Sequence, residues 1–320
     1  GSLLVANEVM RNRSQVLAEN LMKWGNPGVI VTNNDPVDFT ELGPLFDVIL
    51  TDVPCSGEGM FRKDEVAVQE WSIENVDTCW QRQRRILRDI WPCLKTGGLL
   101  IYSTCTYNRE ENEDNVAWIA QELGAEVLPL ETQPDWHITG NLTGTEFPVY
   151  RFLPHKTTGE GLFMAVLRKT ADEPAVSVRT KTGGKASKKG KGGKVVALQV
   201  PKEMKAWVQG AGDYVFEVND SEAMAFPATY KDTYDLLKSQ LRILHAGISL
   251  GELKGKDWQP SHALAMSTVF DRDSFPMAEL TYSQAIAYLR KEAVVLSPEV
   301  SRGYVTLTYQ GQVLGFAKNI

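Results

Sequence analysis

Two short runs, each containing a cysteine, are the residues of this chain best suited to covalent chemistry. The first reads Asp52-Val-Pro-Cys55-Ser-Gly and the second reads Ser103-Thr-Cys105-Thr. A thiol that follows a strand and lies beside a helix N-terminus can have a lowered pKa and act as a nucleophile. If the two strands are neighbours, about 4.8 Å apart, both thiols can face one pocket. For either cysteine alone, the alternative is a small buried side chain that only packs.

Acidic residues also follow predicted strands, where an open parallel sheet binds its ligands. Glu8, Asp35 and Asp52 each come just after a short apolar run. We therefore expect these acids to lie at the same edge of the sheet as the two cysteines. Glu8 can accept hydrogen bonds from ribose hydroxyls and Asp35 from an adenine amino group, which suits an adenosine-containing cofactor. A role as a helix cap or loop residue is the alternative for each acid.

Several common sites have no motif in this sequence. It contains neither GxGxxG nor GxxxxGK[ST], which disfavours a nicotinamide dehydrogenase and a kinase-type phosphate loop. The four cysteines form no CxxC pair and there are only four histidines, so we predict no metal site and no disulfide scaffold. This use of cysteine favours the cytoplasm. Cys79 and Cys93 fall in a helical pattern, and we assign them a packing role.

Apolar strands that alternate with helices surround these motifs and predict a parallel sheet covered on both faces. A helix with Leu17, Leu21 and Trp24 on one stripe should end at Gly25. A longer helix, starting before Val76, should continue to Gly97-Gly98, and Asn108 with Glu111 should form a capping box for the next helix. The predicted strands are 3–6, 29–32, 46–51, 99–103 and 161–167. Near the end of the chain, 304–307 and 313–316 should form a β-hairpin around Gln310-Gly311.

Charge and composition divide the chain into two parts. It has 320 residues and a net charge of −6, with 43% hydrophobic and 23% charged residues, as in an ordinary globular protein. Residues 170–194 carry seven basic and two acidic residues and little that is large and apolar. We predict a flexible basic linker over 170–195, either a simple tether or one that also contacts nucleic-acid phosphate. No apolar run is long enough to cross a membrane, and no charged-then-apolar leader is present.

The two cysteine runs resemble the signature motifs of the Nol/Nop/Sun family of RNA cytosine-5 methyltransferases. The usual first motif reads Asp-Ala-Pro-Cys, so Val53 is a departure. The resemblance covers nearly the whole chain. Other similar runs are Glu110-Glu111-Asn112-Glu113, Gly159-Glu160-Gly161-Leu162-Phe163, the Arg151 to His155 segment and, as in the RNA-binding region of the bacterial RsmF branch, Gly311 to Lys318.

The resemblance implies a fold, a cofactor and a role for each site residue. It implies an α/β Rossmann-like class I methyltransferase domain over 1–169, followed by a smaller α+β PUA-like RNA-binding domain over 196–320. Cys105 adds to cytosine C6, and Cys55 assists release of the product. Glu8, Asp35 and Asp52 match the acids that bind the ribose, the adenine and the methionine end of S-adenosyl-L-methionine. The implied substrate and partner is RNA, with 16S ribosomal RNA preferred and transfer RNA as the alternative, and we expect a monomer.

The resemblance also implies that the chain begins at the family's second strand. The first strand and its Gly-rich cofactor loop would precede Gly1, and that strand would lie between the strands near Leu3 and Phe46. We therefore expect two unpaired sheet edges. We also expect weak or no activity from these 320 residues alone. Arg62, Lys63, Arg82, Arg84 and Arg85 are candidate phosphate ligands, with ordinary surface solvation as the alternative.

Two other functions remain open from the residues. A non-catalytic RNA-binding protein would use residues 196–320 and the basic linker, but it needs neither Cys55 nor Cys105. An amino-methyltransferase acting on N4 or N6 generally has an Asp/Asn-Pro-Pro-Tyr loop, whereas here Pro54 is followed by cysteine. Covalent trapping on 5-fluorocytosine RNA separates these alternatives from the cytosine-5 reaction.

Overall fold

The structure is a computed structural model that describes residues 1–170 and 199–320. Its contacts form two units, one of residues 1–34 with 199–320 and one of residues 35–170. Except for Thr170, the predicted linker over 170–195 lies outside the described residues. The domain boundaries at 169 and 196 stay a prediction.

The chain starts with a parallel strand pair connected by one helix. These elements are β1 (Leu4–Asn7), α1 (Arg11–Trp24) and β2 (Val29–Thr32). Helix α1 ends at Gly25, whose φ of 75° is the left-handed conformation that glycine tolerates, and the Gly25 N–H donates to Leu21 O. The three predictions for this segment are confirmed, although Trp24 is 57% exposed rather than packed. Strand β2 is buried along its whole length.

Residues 35–170 build a mixed sheet flanked by helices. The elements are β3 (Phe46–Asp52), α2 (Glu65–Glu70), α3 (Ile73–Ile90), β4 (Leu94–Thr104), α4 (Glu113–Glu122), β5 (Ala125–Leu128), β6 (Tyr150–Phe152) and β7 (Leu162–Lys169). The strand order is β3-β4-β7-β5, and β6 pairs with β7. Strands β3 and β4 are parallel, whereas β7 is antiparallel to β4, β5 and β6. The prediction of an all-parallel sheet is thus wrong for β7, because an apolar run indicates burial on both faces and not strand direction.

The long helix ends earlier than predicted. Helix α3 ends at Ile90, because Pro92 has no N–H to continue it, and a 3-10 turn covers Trp91–Cys93. Gly97-Gly98 therefore lies inside β4. Cys93 is not in the helix, although it is buried as predicted and its Sγ donates to Phe39 O at 2.8 Å. Cys79 is buried within α3.

The core of this unit lies where β4 and β7 meet α3 and α4. Its fully buried side chains include Leu87, Leu100, Tyr102, Ile119 and Phe163. Tyr102 and Phe163 contact each other edge to face, with ring centroids 6.4 Å apart. This packing holds the carboxyl ends of β3 and β4 in place, where the two cysteine runs begin.

Two sheet edges in the described residues have no partner strand. Strand β1 pairs only with β2, and β3 pairs only with β4. Val48 and Leu50 on β3 are 51% and 67% exposed. The expectation of unpaired edges at these two strands is confirmed.

Residues 199–320 contain short helices and mostly antiparallel strands, although β13 pairs with β14 in parallel. The elements are α5 (Lys202–Lys205), β8 (Tyr214–Asn219), β9 (Glu222–Pro227), α6 (Lys231–Gln240), β10 (Ile243–Ala246), β11 (Ile248–Lys254), β12 (Asp257–Pro260), α7 (His262–Met266), β13 (Met277–Glu279), α8 (Tyr282–Leu289), β14 (Gly303–Tyr309) and β15 (Gln312–Asn319). Strand β10 extends the β1-β2 sheet, and the other two sheets have the orders β12-β11-β9-β8 and β13-β14-β15. The predicted hairpin is confirmed as β14–β15. Its turn residues Gln310 and Gly311 both have positive φ, as a tight hairpin turn requires.

Within residues 1–170 and 199–320, no helix is both long and apolar enough to cross a membrane.

Candidate active site

The two cysteine runs meet at the carboxyl ends of β3 and β4. Asp52 pairs with Ser103 in the parallel register, so both chains leave the sheet at the same edge. Cys55 Sγ lies 2.9 Å from Cys105 Sγ, and both residues are half-buried. The structure therefore brings together the two thiols that the sequence singled out.

The contact between the sulfurs shifts the two pKa values in opposite directions. The hydrogen bond from Cys55 lowers the pKa of Cys105, while burial and the charge of Asp52 oppose that effect. The same hydrogen bond, together with burial, raises the pKa of Cys55 above its ordinary value. Cys105 is thus the thiol that ionises first, and once it is a thiolate Cys55 donates the hydrogen bond between them. The direction agrees with the lowered pKa that the sequence predicted for Cys105.

A close backbone approach holds the two runs together. The Gly59 N–H donates to Cys105 O at 2.8 Å, and a Cβ on Gly59 would lie 2.6 Å from that oxygen. Only glycine fits there without moving the backbone. Ser56 Oγ and Thr106 Oγ1 are 3.0 Å apart, which adds a side-chain contact beside the thiols.

Glu111 has a different role from the predicted capping box. Its N–H donates to Asn108 Oδ1 at 2.9 Å as predicted, but α4 begins only at Glu113. The Glu111 carboxylate does not return to the Asn108 N–H. Instead it accepts from the Ser56 N–H at 3.1 Å, from Gln83 Nε2 at 2.6 Å and from Asn108 Nδ2 at 2.7 Å. The second half of the capping box is therefore wrong, because Ser56 and Gln83 offer the carboxylate buried donors.

Glu58 follows Cys55 and contacts the backbone that follows Cys105, whereas Glu111 follows Cys105 and contacts the backbone that follows Cys55. The Glu58 carboxylate accepts from the backbone N–H groups of Tyr107 and Asn108, at 2.7 and 2.9 Å, and from Trp71 Nε1 at 3.0 Å. The sequence analysis did not single out Glu58. The only signal was an acid three residues after Cys55, which has no meaning until the partner run is known to lie beside it.

The three predicted cofactor acids occupy strand ends, as expected, but the expectation of one shared sheet edge is not met, because β1 and β2 belong to a different sheet from β3 and β4. Glu8 follows β1 in the unit of residues 1–34 and 199–320, where it accepts from the Met10 N–H and pairs with Arg13 at 3.1 Å. Asp35 follows β2, caps a 3-10 helix and lies 3.6 Å from Arg85. Asp52 ends β3 and is exposed.

Glu8 and Asp35 each keep carboxylate surface that can accept further hydrogen bonds. The side chains of Glu8 and Asp35 keep 19% and 40% of their surface exposed, which leaves carboxylate oxygens for further donors. Hydroxyl, amino and ammonium groups are the donors that such carboxylates accept. No group of three His, Cys, Asp or Glu residues in the described part of the chain could hold a metal ion.

Some of the candidate phosphate ligands already contact other side chains of the protein, and others are exposed. The Arg84 guanidinium lies over the rings of Trp80 and Trp118 and donates to Asn115 Oδ1 at 2.7 Å, so its role is structural. Arg85 pairs with Asp35. Arg62, Lys63 and Arg82 are exposed.

Arg151 is buried and contacts the backbone just after the Cys105 run, whereas His155 is exposed. The Arg151 guanidinium forms a buried ion pair with Glu113 and donates to Tyr107 O at 2.9 Å. Their side chains are 4% and 0% exposed. His155 is exposed and, with His137 and Lys156, lines a shallow surface cavity.

Comparison with protein families gives two matches along the chain. A family described as 16S rRNA methyltransferase RsmB/F matches residues 2–168. A second family, described as the methyltransferase RsmF PUA domain, matches residues 276–320. The first match includes both cysteine runs and all three acids, and the second includes the hairpin of β14 and β15.

Individual relatives are similar over almost the whole chain. Ribosomal RNA small subunit methyltransferase F of Aliivibrio fischeri is 32% identical, over 98% of this chain and 65% of that protein. The protein of the same name from Vibrio cholerae is 28% identical, over 99% of this chain and 66% of that protein. The chain thus spans about two thirds of the length of these relatives. The crystal structure of NSun6 from Pyrococcus horikoshii with SFG is 30% identical, with a TM-score of 0.46, over 53% of this chain and 42% of that chain.

Proposed function

The chain belongs to the RsmB/F family of 16S rRNA methyltransferases, and we propose that it transfers a methyl group to C5 of a cytosine in ribosomal RNA. The observation that carries this proposal is the 2.9 Å contact between Cys55 Sγ and Cys105 Sγ at one sheet edge. Relatives named small subunit methyltransferase F support the choice of ribosomal over transfer RNA. The same substrate makes the cytoplasm the expected compartment.

The chemistry requires a nucleophile because cytosine C5 is itself a poor one. The Cys105 thiolate adds to C6, and the electron pair of the C5–C6 bond becomes available at C5. After C5 has gained the methyl group, a base removes the C5 proton, the double bond re-forms and the sulfur leaves C6. Cys55 keeps its proton and donates a hydrogen bond to Cys105 Sγ, which stabilises the departing thiolate and assists release.

S-adenosyl-L-methionine is the proposed methyl donor, and it supplies an electrophilic methyl group on a sulfonium. Glu8 would accept from the ribose hydroxyls, Asp35 from the adenine amino group and Asp52 from the methionine end. Each is a carboxylate at a strand end with surface still exposed. Asp52 is also close enough to affect the charge on Cys105, which is consistent with a position beside the reacting base.

The target cytosine must leave its stack to reach a thiol at a sheet edge. We propose that the PUA-like domain over 196–320 binds the surrounding RNA, and that 1–169 is the methyltransferase domain. The match of residues 276–320 to the RsmF PUA domain supports this division. We propose that the protein acts as a monomer.

A trapping experiment tests the proposal directly. Because these 320 residues alone are expected to have weak or no activity, the protein is used together with the segment that the resemblance implies before Gly1. It is incubated with S-adenosyl-L-methionine and RNA containing 5-fluorocytosine, whose C5 fluorine blocks the final elimination. The expected result is a covalent protein–RNA adduct that Cys105→Ser abolishes and Cys79→Ser does not. RNA binding without any adduct would favour the non-catalytic RNA-binding alternative, and methylation at an exocyclic amine would favour the amino-methyltransferase.

A further inference from the structure

Two acids connect the loops that carry the cysteines, and each reaches across to the opposite loop. We call residues 53–59 the Cys55 loop and residues 105–112 the Cys105 loop. Glu58 of the Cys55 loop accepts from the backbone N–H groups of Tyr107 and Asn108 in the Cys105 loop. Glu111 of the Cys105 loop accepts from the Ser56 N–H in the Cys55 loop. The contacts are therefore reciprocal.

Glu111 is the more deeply buried of the two acids. It is 0% exposed, and its carboxylate accepts from three donors, which are Ser56 N, Gln83 Nε2 and Asn108 Nδ2. A buried carboxylate is tolerated only where its oxygens are hydrogen-bonded, and such charge-assisted bonds are the strong ones. Gln83 Nε2 also lies 3.0 Å from Pro54 O, so α3 contacts the same loop.

We propose that Glu58 and Glu111 are positioning residues that hold the Cys55 loop against the Cys105 loop and so maintain the contact between the two thiols. This inference rests on the proposed function, because it concerns the two cysteines that the methyl transfer uses. The thiol contact itself can be measured without RNA or methyl donor. A failure of the positioning role is therefore distinguishable from a failure of the proposed reaction.

The charge of Glu111 and its proposed positioning role have opposite effects on the pKa of Cys105. The negative charge of Glu111 by itself raises the pKa of Cys105, so removing only that charge should lower it. Loss of the loop contact would instead remove the hydrogen bond from Cys55, which is the main cause of the lowered pKa, and should raise it. The direction of the change separates a positioning role from a purely electrostatic one.

The test uses the full chain with Glu111→Gln, Glu58→Gln and, as a matched control, Glu110→Gln. Glutamine keeps the shape of Glu111, but in either orientation its amide NH2 faces a donor, because both carboxylate oxygens accept. Glu110 is the exposed neighbour with the same charge. The readouts are the pH midpoint of Cys105 alkylation by iodoacetamide, mapped by peptide mass spectrometry, and the yield of the Cys55–Cys105 bridge formed by dibromobimane.

The expected result for Glu111→Gln is a higher alkylation midpoint and a bridge yield that falls about tenfold, the effect of losing one charge-assisted hydrogen bond. Glu110→Gln should leave the bridge unchanged. If the alkylation midpoint of Cys105 falls or stays constant in Glu111→Gln and the yield of the Cys55–Cys105 bridge is unchanged, the proposal is overturned. If circular dichroism shows that Glu111→Gln does not fold, the half-buried Glu58→Gln variant decides by the same two readouts. A shifted midpoint with no RNA adduct would contradict the proposed function and leave the positioning role standing.

Discussion

The sulfur of Cys55 lies 2.9 Å from the sulfur of Cys105, and the two thiols hold their protons with unequal strength. The pair results from two parallel neighbouring strands that end in register, with one cysteine a few residues after Asp52 and the other two residues after its partner Ser103. Cys105 loses its proton more readily because Cys55 keeps its own and can donate a hydrogen bond to the thiolate. Most of the experimental consequences of this site follow from that asymmetry.

Replacing Cys55 by alanine should raise the pKa of Cys105. The substitution removes the hydrogen bond that is the largest cause of the lowered value, and burial and Asp52 then dominate. Near neutral pH, a smaller thiolate fraction should slow the alkylation of Cys105 about tenfold, as expected for a lost hydrogen bond to a charged group. The measurement is the rate of iodoacetamide labelling against pH. Cys79→Ala is the control, and an unchanged profile in Cys55→Ala would contradict the assigned donor.

Replacing Asp52 by asparagine should lower the pKa of Cys105, the opposite of the effect of Cys55→Ala. The Asp52 charge raises the pKa of Cys105, so a neutral side chain should lower it and accelerate alkylation of Cys105 near neutral pH. The effect should weaken at high salt, because Asp52 is exposed and its field is screened. The same titration at low and high salt checks both points. Slower alkylation in Asp52→Asn would rule out this electrostatic coupling. RNA methylation should fall despite the more reactive thiol, because Asp52 is proposed to bind the methyl donor.

The proximity of the two cysteines could be predicted from the sequence, because each cysteine follows a strand whose apolar run can be recognised from neighbouring residues alone. Strands β2, β3 and β14 and the end of α1 at Gly25 were predictable for the same reason. The α/β methyltransferase fold followed by a PUA-like domain came from the resemblance, and it is confirmed by the two family matches.

What the sequence did not predict depends on contacts between distant residues. Glu111 looked like half of a capping box because Asn108 is three residues away, whereas two of the three donors to its carboxylate, Ser56 and Gln83, are 55 and 28 positions away in the chain. The direction of β7 was missed because both directions bury the same apolar run. The early end of α3 had a visible signal in Pro92, which the helical spacing of its neighbours obscured.

Replacing Gly59 by alanine should separate the two loops. The new Cβ would lie 2.6 Å from Cys105 O, a backbone atom, so one loop must move. Overpacking of this kind costs about 1–3 kcal/mol, and the bridge between Cys55 and Cys105 should form more slowly. Urea unfolding and dibromobimane bridging measure the two effects. Gly140→Ala is the control, because nothing lies within 4 Å of a Cβ there. If the two alanine variants bridge equally fast, the close approach at Gly59 does not set the spacing.

Replacing Arg151 by methionine should lower the free energy of unfolding. Arg151 and Glu113 form an ion pair with side chains only 4% and 0% exposed, and Arg151 also donates to Tyr107 O. Breaking a buried pair leaves an uncompensated charge and costs about 3–5 kcal/mol, whereas an exposed pair is worth at most about 1 kcal/mol. The matched control is Arg168→Met, which breaks a pair with Glu126 whose side chains are 48% and 57% exposed. Urea unfolding should therefore show a large loss for Arg151→Met and a small one for Arg168→Met. Arg151→Met with Glu113→Gln should recover part of the loss, because the buried charge is then removed. Equal losses in the two single variants would mean that the Arg151 pair behaves as a surface contact.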